Sequence, residues 1–542
     1  MASGWHGGIT RRQALQFGML AGAAVTLVQG AGQGVRRPGL QFSMVAGAVV
    51  TAPNTTRMAA AAYPASEQIS VDAATQLRAV DRRILGMNTN YLTDHADVRD
   101  SGQGYGSALR TLGVGSLRYP GGEEADSYLW SSAPFTAPRP KLARTGPAEW
   151  PSNDPHWVGG DTEFVHAPLD FDQFMAYCRD LGAEPTVVVP MDAMYRPASA
   201  GGTAPDKQLL LDTAVAWVRY ANQVRGYGVQ HWELGNESYK ASYIGGTTAD
   251  QYARDAVDFA RAMKQVDPTI KIGINGPDRQ FGRSDYDASG AWWQTVLPVA
   301  APVADFLVVH SYPAWGWGGY NHYATHTPNL TAAVDGVQAA LQAWSPPRDA
   351  DRIRLRVTEI NAADWSDGGW PNVNNLGHAV VLFDQIGGLL THPAVEAAQV
   401  WTTRWTNAAA TDLWNTLDPA NALLATGQAL AIWNQFLRST MIATTSTTLV
   451  RSFASYDPVG QDLSVFLINK DTTARTATVT LRNYGTGATG SRWSLLGTGP
   501  NDPAPVWSNL GEVTLAGNSL QLVLAPVSVT AVSLRPAASL TT

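Results

Sequence analysis

The sequence predicts an α/β fold, a (β/α)8 barrel with an antiparallel β-sandwich appended to it. Three observations carry that reading. From about Leu85 to Trp405, short apolar runs alternate with amphipathic stretches, and eight of the runs read as strands, the number that closes a parallel barrel. Past about Thr440 the pattern changes to two-residue alternation bounded by Gly, Asn and Asp turns, the mark of an antiparallel sheet with one wet face. Of the 542 residues, 45% are hydrophobic and 15% charged, so the chain can fill large cores and is not disordered.

Residues 1–62 read as a leader. Arg11-Arg12 followed by Leu15-Gln16-Phe17 and a Gly/Ala-rich apolar run resembles a twin-arginine export signal, and the stretch recurs at Arg36-Arg37 with Leu40-Gln41-Phe42. Both apolar runs are shorter than the roughly 18–20 residues that span a bilayer, and small-residue cleavage sites follow at Ala60 to Ala62. The expectation is a precursor handled by the twin-arginine machinery and a secreted mature chain beginning near Tyr63. Residues 63–83 contain an alternating segment, 67–80, expected to lend a strand to the sandwich.

The barrel, of the TIM type, is assigned to residues 84–438. Its strands are expected at Ile84 to Thr89, Ser116 to Pro120, Pro185 to Pro190, Gln230 to Gly235, Ile270 to Asn275, Phe306 to His310, Arg354 to Thr358 and Ala397 to Thr402. Two intervening helices can be read from their stripes. Phe171, Phe174, Met175, Cys178 and Leu181 share a face between an Asp170 cap and a Gly182 stop, and Tyr252, Ala256, Phe259, Met263 and Val266 follow Thr248. Residues 121–166, rich in Pro, Trp and Gly, and the loop 312–328 should wall the carboxyl-end face of the barrel. Residues 439–542 form the sandwich.

Composition also excludes functions. With 38 Lys and Arg against 45 Asp and Glu, a net charge of -7 offers no cationic surplus for nucleic acid. The lone Cys178 builds neither a disulfide nor a thiolate zinc site. His322 and His326 have the spacing of a zincin pair without its Glu. No metal and no cofactor are expected.

The chemistry sits in two carboxylates. Glu237 follows the fourth expected strand in His231-Trp-Glu-Leu-Gly-Asn-Glu237, and Glu359 ends the seventh in Arg356-Val-Thr-Glu359. Strands four and seven lie across an eight-stranded ring, so the two can face each other over the barrel mouth. That is the geometry of glycoside hydrolysis; in its retaining version one carboxylate attacks the anomeric carbon and the other protonates the leaving oxygen. The acid must hold its proton near neutral pH, which a neighbouring carboxylate and partial desolvation favour.

On these residues the chain resembles the clan A retaining glycoside hydrolases. The runs Leu117-Arg-Tyr-Pro-Gly-Gly122 with Trp130 beyond, Asp172 to Pro185, and Tyr227 to Glu237 are most similar to family 51, the α-L-arabinofuranosidases. Trp232-Glu-Leu-Gly-Asn-Glu237 is as similar to family 79, and family 39 is also akin. The resemblance implies that Glu237 is the acid/base and Glu359 the nucleophile. It further implies that Asn236 bonds the sugar 2-hydroxyl, Arg118 keeps the nucleophile ionised, His310 and Tyr312 line the site, and Trp401 floors the sugar subsite. Where family 51 carries a sugar-binding Glu after the first strand, this chain has Asn90. Glu233 reads as a structural partner.

Trp217, Trp344 and Trp433 read as packing residues. Trp130, Trp150, Trp157, Trp315, Trp317, Trp365 and Trp370 fall in loops where an indole can meet a sugar ring, Trp315 being carried as a substrate contact. The expected partner is an oligo- or polysaccharide. The alternatives to an arabinofuranosidase are a β-glucuronidase, with Arg196, Arg279 or Arg404 for the sugar carboxylate, a β-xylosidase, an endo-glycanase, or a non-catalytic carbohydrate-binding protein.

Overall fold

The computed structural model describes residues 66–160, 162–240, 247–278, 291–406 and 412–536. The double leader and Arg279 lie outside the described residues, so the export signal read in residues 1–62 does too.

Eight strands close a parallel barrel in chain order: Leu85–Asn88, Ser116–Tyr119, Glu184–Val189, His231–Leu234, Lys271–Asn275, Phe306–Ser311, Arg354–Ile360 and Val395–Val400, the last pairing with the first. Most of their residues are buried, as a sheet covered by helices requires, and apolar runs such as Val187 to Val189 stand beside polar side chains such as Arg118 and Glu233 that reach the barrel interior. The carboxyl ends of the strands fall within a few residues of the expected positions. The side chains that follow them therefore collect on one rim.

The two readable helices form as their caps dictate. Asp170 accepts from the Gln173 amide at 2.8 Å while the Gln173 side chain accepts from Asp170 N at 3.2 Å, and Gly182, with φ 64°, ends the helix Phe171–Leu181. Phe171, Phe174, Met175 and Cys178 are buried against the sheet, whereas Leu181 in the last turn is only partly covered. Thr248 caps Ala249–Val266, which buries Tyr252, Ala256, Phe259 and Met263.

Nine further strands make one sheet. Its order is Val506–Thr514, Thr489–Leu496, Ser528–Arg535, Leu463–Asn469, Val450–Tyr456, Thr440–Thr444, Glu67–Ala79, Arg475–Arg482 and Ser519–Leu524. Neighbours are antiparallel except one pair: the segment expected to join the sandwich, Glu67–Ala79, runs parallel to Arg475–Arg482 and antiparallel to Thr440–Thr444. It is thus an interior strand and not an edge addition. Strand Leu463–Asn469 is buried throughout because both of its faces are used. Leu463, Val465 and Leu467 enter a core shared with Leu520, Leu522 and Leu524 at the far end of the strand order, so the sheet folds over on itself. Phe466 and Ile468 point the other way, into the barrel core.

Helix Leu376–Thr391 lies between the two bodies and is apolar on nearly every side. A Cβ on Gly387 would stand 2.5 Å from the Phe453 ring, so only glycine lets helix and sheet approach this closely. Asp384 reaches across to Arg451 at 3.1 Å.

The insertion 121–166 contains a small hairpin, Tyr128–Leu129 with Lys141–Leu142, and packs as a second layer on the barrel. That corrects part of the tryptophan reading. Trp130 is fully buried, stacks on Trp217 with ring centroids 5.9 Å apart, and donates to the Thr213 carbonyl at 3.1 Å. Trp157 and Trp370 are buried as well, Trp370 lying flat on His378. These three indoles serve packing. Trp344, expected inside, is 36% exposed, because its helix turns that position outward near its end.

Candidate active site

Arg118, at the end of the second barrel strand, organises the floor of the site. Its guanidinium donates to both Glu233 oxygens (Nε to Oε2 2.9 Å, Nη2 to Oε1 2.6 Å), to Glu359 Oε1 at 2.9 Å, to Asn236 Oδ1 at 2.8 Å and to Asn88 Oδ1 at 2.9 Å. The Arg118 and Glu233 side chains are fully buried and that of Glu359 is 7% exposed. Burial opposes the Arg118 charge, yet the two carboxylates more than offset it and hold the guanidinium above its ordinary value. Buried cations persist only when paired and fully hydrogen-bonded, and this one is. Asn88 is fixed in turn by donating to the Thr358 and Val400 carbonyls at 2.7 and 3.2 Å. Glu233 therefore has the structural pairing expected of it.

The turn after the fourth strand aims Glu237. Gly235 sits at φ 72° and Glu237 itself at φ 50°, a region that non-glycine residues seldom occupy. Asp192 holds the turn by accepting the Asn236 amide at 2.7 Å, and Asn275 by accepting the Ser238 amide at 2.9 Å. Burial, foremost, pushes Asp192 up to about 7, and burial together with Asp192 raises the neighbouring Asp126 carboxyl well above its ordinary value.

Above this floor, His310 Nδ1 lies 3.0 Å from Glu237 Oε1 and 3.4 Å from Glu359 Oε2. Tyr312 donates to Glu359 Oε2 at 2.6 Å, and Tyr239 to Glu237 Oε1 at 3.2 Å. An oxygen of each glutamate lies within 4.8 Å of the other. Retaining glycosidases space their carboxyls about 5–5.5 Å apart and inverting ones roughly 6.5–9.5 Å, so the gap suits direct attack and not an interposed water. Trp401 borders this pair: a Cβ on Gly122 would come within 2.6 Å of both Glu359 Oε1 and the Trp401 ring. Tyr312 also meets Trp365 edge-on at 4.6 Å, Trp365 stacks on Trp414 at 5.3 Å, and Trp315 lies beyond at 6.2 Å.

Seven of the expected positions thus converge: Glu237, Glu359, Asn236, Arg118, His310, Tyr312 and Trp401. Of the other two, Trp315 lies beside Trp365, and Asn90 Oδ1 accepts from the Leu92 amide at 2.9 Å.

The ionisation of Glu237 departs from expectation. Lys240 Nζ forms an ion pair with Glu237 Oε2. Burial acts to raise the Glu237 pKa, but Lys240 and His310 together outweigh it and hold the carboxyl below the ordinary carboxylate range. Lys240 was legible as a cation one turn past Glu237, yet only the left-handed backbone at Glu237 folds it back. Asn88, Tyr239 and Trp414 were missed as well: Asn88 and Trp414 act through neighbours distant in sequence, and Tyr239 reaches Glu237 only because the turn between them folds back. Glu237, His310 and Glu359 could also chelate a cation, but the adjoining Lys240 and Arg118 oppose one.

A parallel barrel with two glutamates facing each other from strands four and seven has the architecture of the clan A glycoside hydrolases. In sequence the chain is similar to α-L-arabinofuranosidases. It is 28% identical over 274 residues to α-L-arabinofuranosidase C of Emericella nidulans, covering 46% of each chain. It is 24% identical over 293 residues to an intracellular exo-α-(1→5)-L-arabinofuranosidase of Streptomyces lividans, covering 49% of this chain and 39% of that one. The chain spans less than half the length of these relatives. In fold it matches an α-L-arabinofuranosidase from Thermotoga maritima solved with arabinose, with a TM-score of 0.64, 19% identity, and 87% and 100% of the two chains covered. A family 44 xyloglucanase from Paenibacillus polymyxa matches with a TM-score of 0.58, 14% identity and 87% and 100% coverage. No family model matches the chain.

Proposed function

We propose that the chain is a retaining glycoside hydrolase, and specifically an α-L-arabinofuranosidase acting on oligo- or polysaccharide. The observation that carries the reading is the pair of carboxylates joined through His310, with oxygens within 4.8 Å. In this reading Glu359, held in place by hydrogen bonds from Arg118 and Tyr312, attacks the anomeric carbon while Glu237 delivers a proton to the departing oxygen. Water then enters, Glu237 takes its proton, and the bond to Glu359 breaks with the second inversion. Asn236, steadied by Arg118, offers its amide nitrogen to the 2-hydroxyl, and Trp401 with the Trp365–Trp414 stack gives the ring an apolar wall. A barrel kept only to bind sugar would not need a buried arginine supporting one of two facing carboxylates. For the β-glucuronidase alternative, Arg404 is bound to Asp94 at 2.8 Å and Arg196 to Glu149 at 2.6 Å, while Lys240 and Arg118 beside the glutamates are each paired with one of them. Export by the twin-arginine route remains part of the proposal.

The test is a panel of aryl glycosides with wild type and Glu359→Ala. Turnover of the arabinofuranoside, abolished in the variant, supports the assignment, and turnover of a glucuronide alone replaces it. Proton NMR of the first-formed sugar should show retained configuration; inversion would sink the two-glutamate mechanism.

A further inference from the structure

A second cluster lies on the same rim, away from both glutamates. His95 follows the first barrel strand and precedes the short helix Ala96–Arg99, while His166 ends the insertion 121–166. The two segments are laced together by the backbone, Ala96 N donating to the Ala167 carbonyl and Leu169 N to the Tyr91 carbonyl, each at 2.9 Å. The lacing stacks the two imidazoles with centroids 4.3 Å apart and planes 23° apart. Both present Nδ1 to one carboxylate oxygen, Asp97 Oδ2, at 2.8 Å from His166 and 3.6 Å from His95.

We propose that His95, Asp97 and His166 form a zinc site that clips the insertion to the barrel rim. Their ligand atoms all lie within 4.8 Å of one another, and atoms around a tetrahedral zinc stand about 3.3 Å apart, so small side-chain rotations close the site. His95 Nδ1 is shut off from water and has no hydrogen-bond partner among the described residues, a lone pair or N–H left for something the protein itself does not supply. Two imidazole nitrogens with one carboxylate suit zinc, whereas calcium takes six to eight oxygens. Arg404, the cation whose charge reaches His95, is bound by Asp94. Asp97 is 69% exposed, which opens a path for entry. A fourth ligand is at hand in His156, whose ring centroid is 5.8 Å from that of His166, or in water.

The experiment is calorimetric titration of the metal-stripped full chain with zinc chloride alone, beside calcium chloride. One zinc should bind with micromolar or tighter affinity and raise the thermal midpoint by several degrees, with calcium at least a hundredfold weaker. Binding should drop at least tenfold in His166→Ala and in Asp97→Asn, the latter at an exposed position that does not threaten folding, and should persist in Glu359→Ala. No zinc binding by wild type, equal binding of calcium, or loss in Glu359→Ala with retention in Asp97→Asn would each overturn the proposal.

Discussion

Lys240 governs whether Glu237 carries a proton. Burial and a carboxylate close by would by themselves raise the Glu237 pKa, and the sequence pointed that way. The ion pair with Lys240 and the contact with His310 reverse the sign. On the proposed mechanism the free protein then holds Glu237 as the base for deglycosylation, and the glycosylation step recruits a proton. The rate profile that reports on the free protein, kcat/KM, should decline as pH rises through the Glu237 pKa. In Lys240→Met burial is no longer outweighed by that cation, so the declining limb should move to higher pH by roughly one unit or more. A limb that stays in place on the aryl arabinofuranoside would show that Lys240 does not set the protonation of Glu237.

Among the elements, the turn from Gly235 to Ser238 matters more than the strand before it. Its Asn-Glu pair is visible in the sequence, but what shapes the turn is not, since Asp192 and Asp126 arrive from the loops after the third and second strands. A Cβ at Gly235 would lie 2.4 Å from Asp192 Oδ2 and 2.6 Å from Ser238 Oγ, at a φ of 72° that already disfavours a side chain. Gly235→Ala should therefore displace Asn236 and Glu237 together. The expected result is a fall in kcat of at least tenfold with a stability loss of about 1–3 kcal/mol, the scale of one strained residue. Denaturant unfolding beside steady-state rates checks it; full activity would mean that the turn tolerates a side chain.

At the scale of the molecule, Glu67–Ala79 ties the segment that precedes the barrel to the strands that follow it. Because it lies between Thr440–Thr444 and Arg475–Arg482, its removal exposes two strand edges at once and empties the places of Ile69 and Val71 in the sheet core. A chain beginning at Leu85 keeps every barrel strand, yet it should aggregate or lose its cooperative thermal transition. A soluble, cooperatively unfolding product would show that the barrel stands without the closed sheet. The sheet also supplies Phe453, Phe466 and Ile468 to the barrel core, so the two bodies should melt together in calorimetry.

The sequence by itself determined the barrel, its strand ends and the two glutamates. These features are periodic or local: buried parallel strands read as apolar runs, and a charge at the end of such a run stands out. Only the tertiary structure decided which tryptophans pack and which border the site, that Lys240 folds back onto Glu237, and that His95 and His166 meet. The tryptophan environments and the meeting of His95 with His166 depend on where loops without periodicity place side chains beside residues far away in the chain, and the return of Lys240 depends on a left-handed turn; local spacing encodes neither.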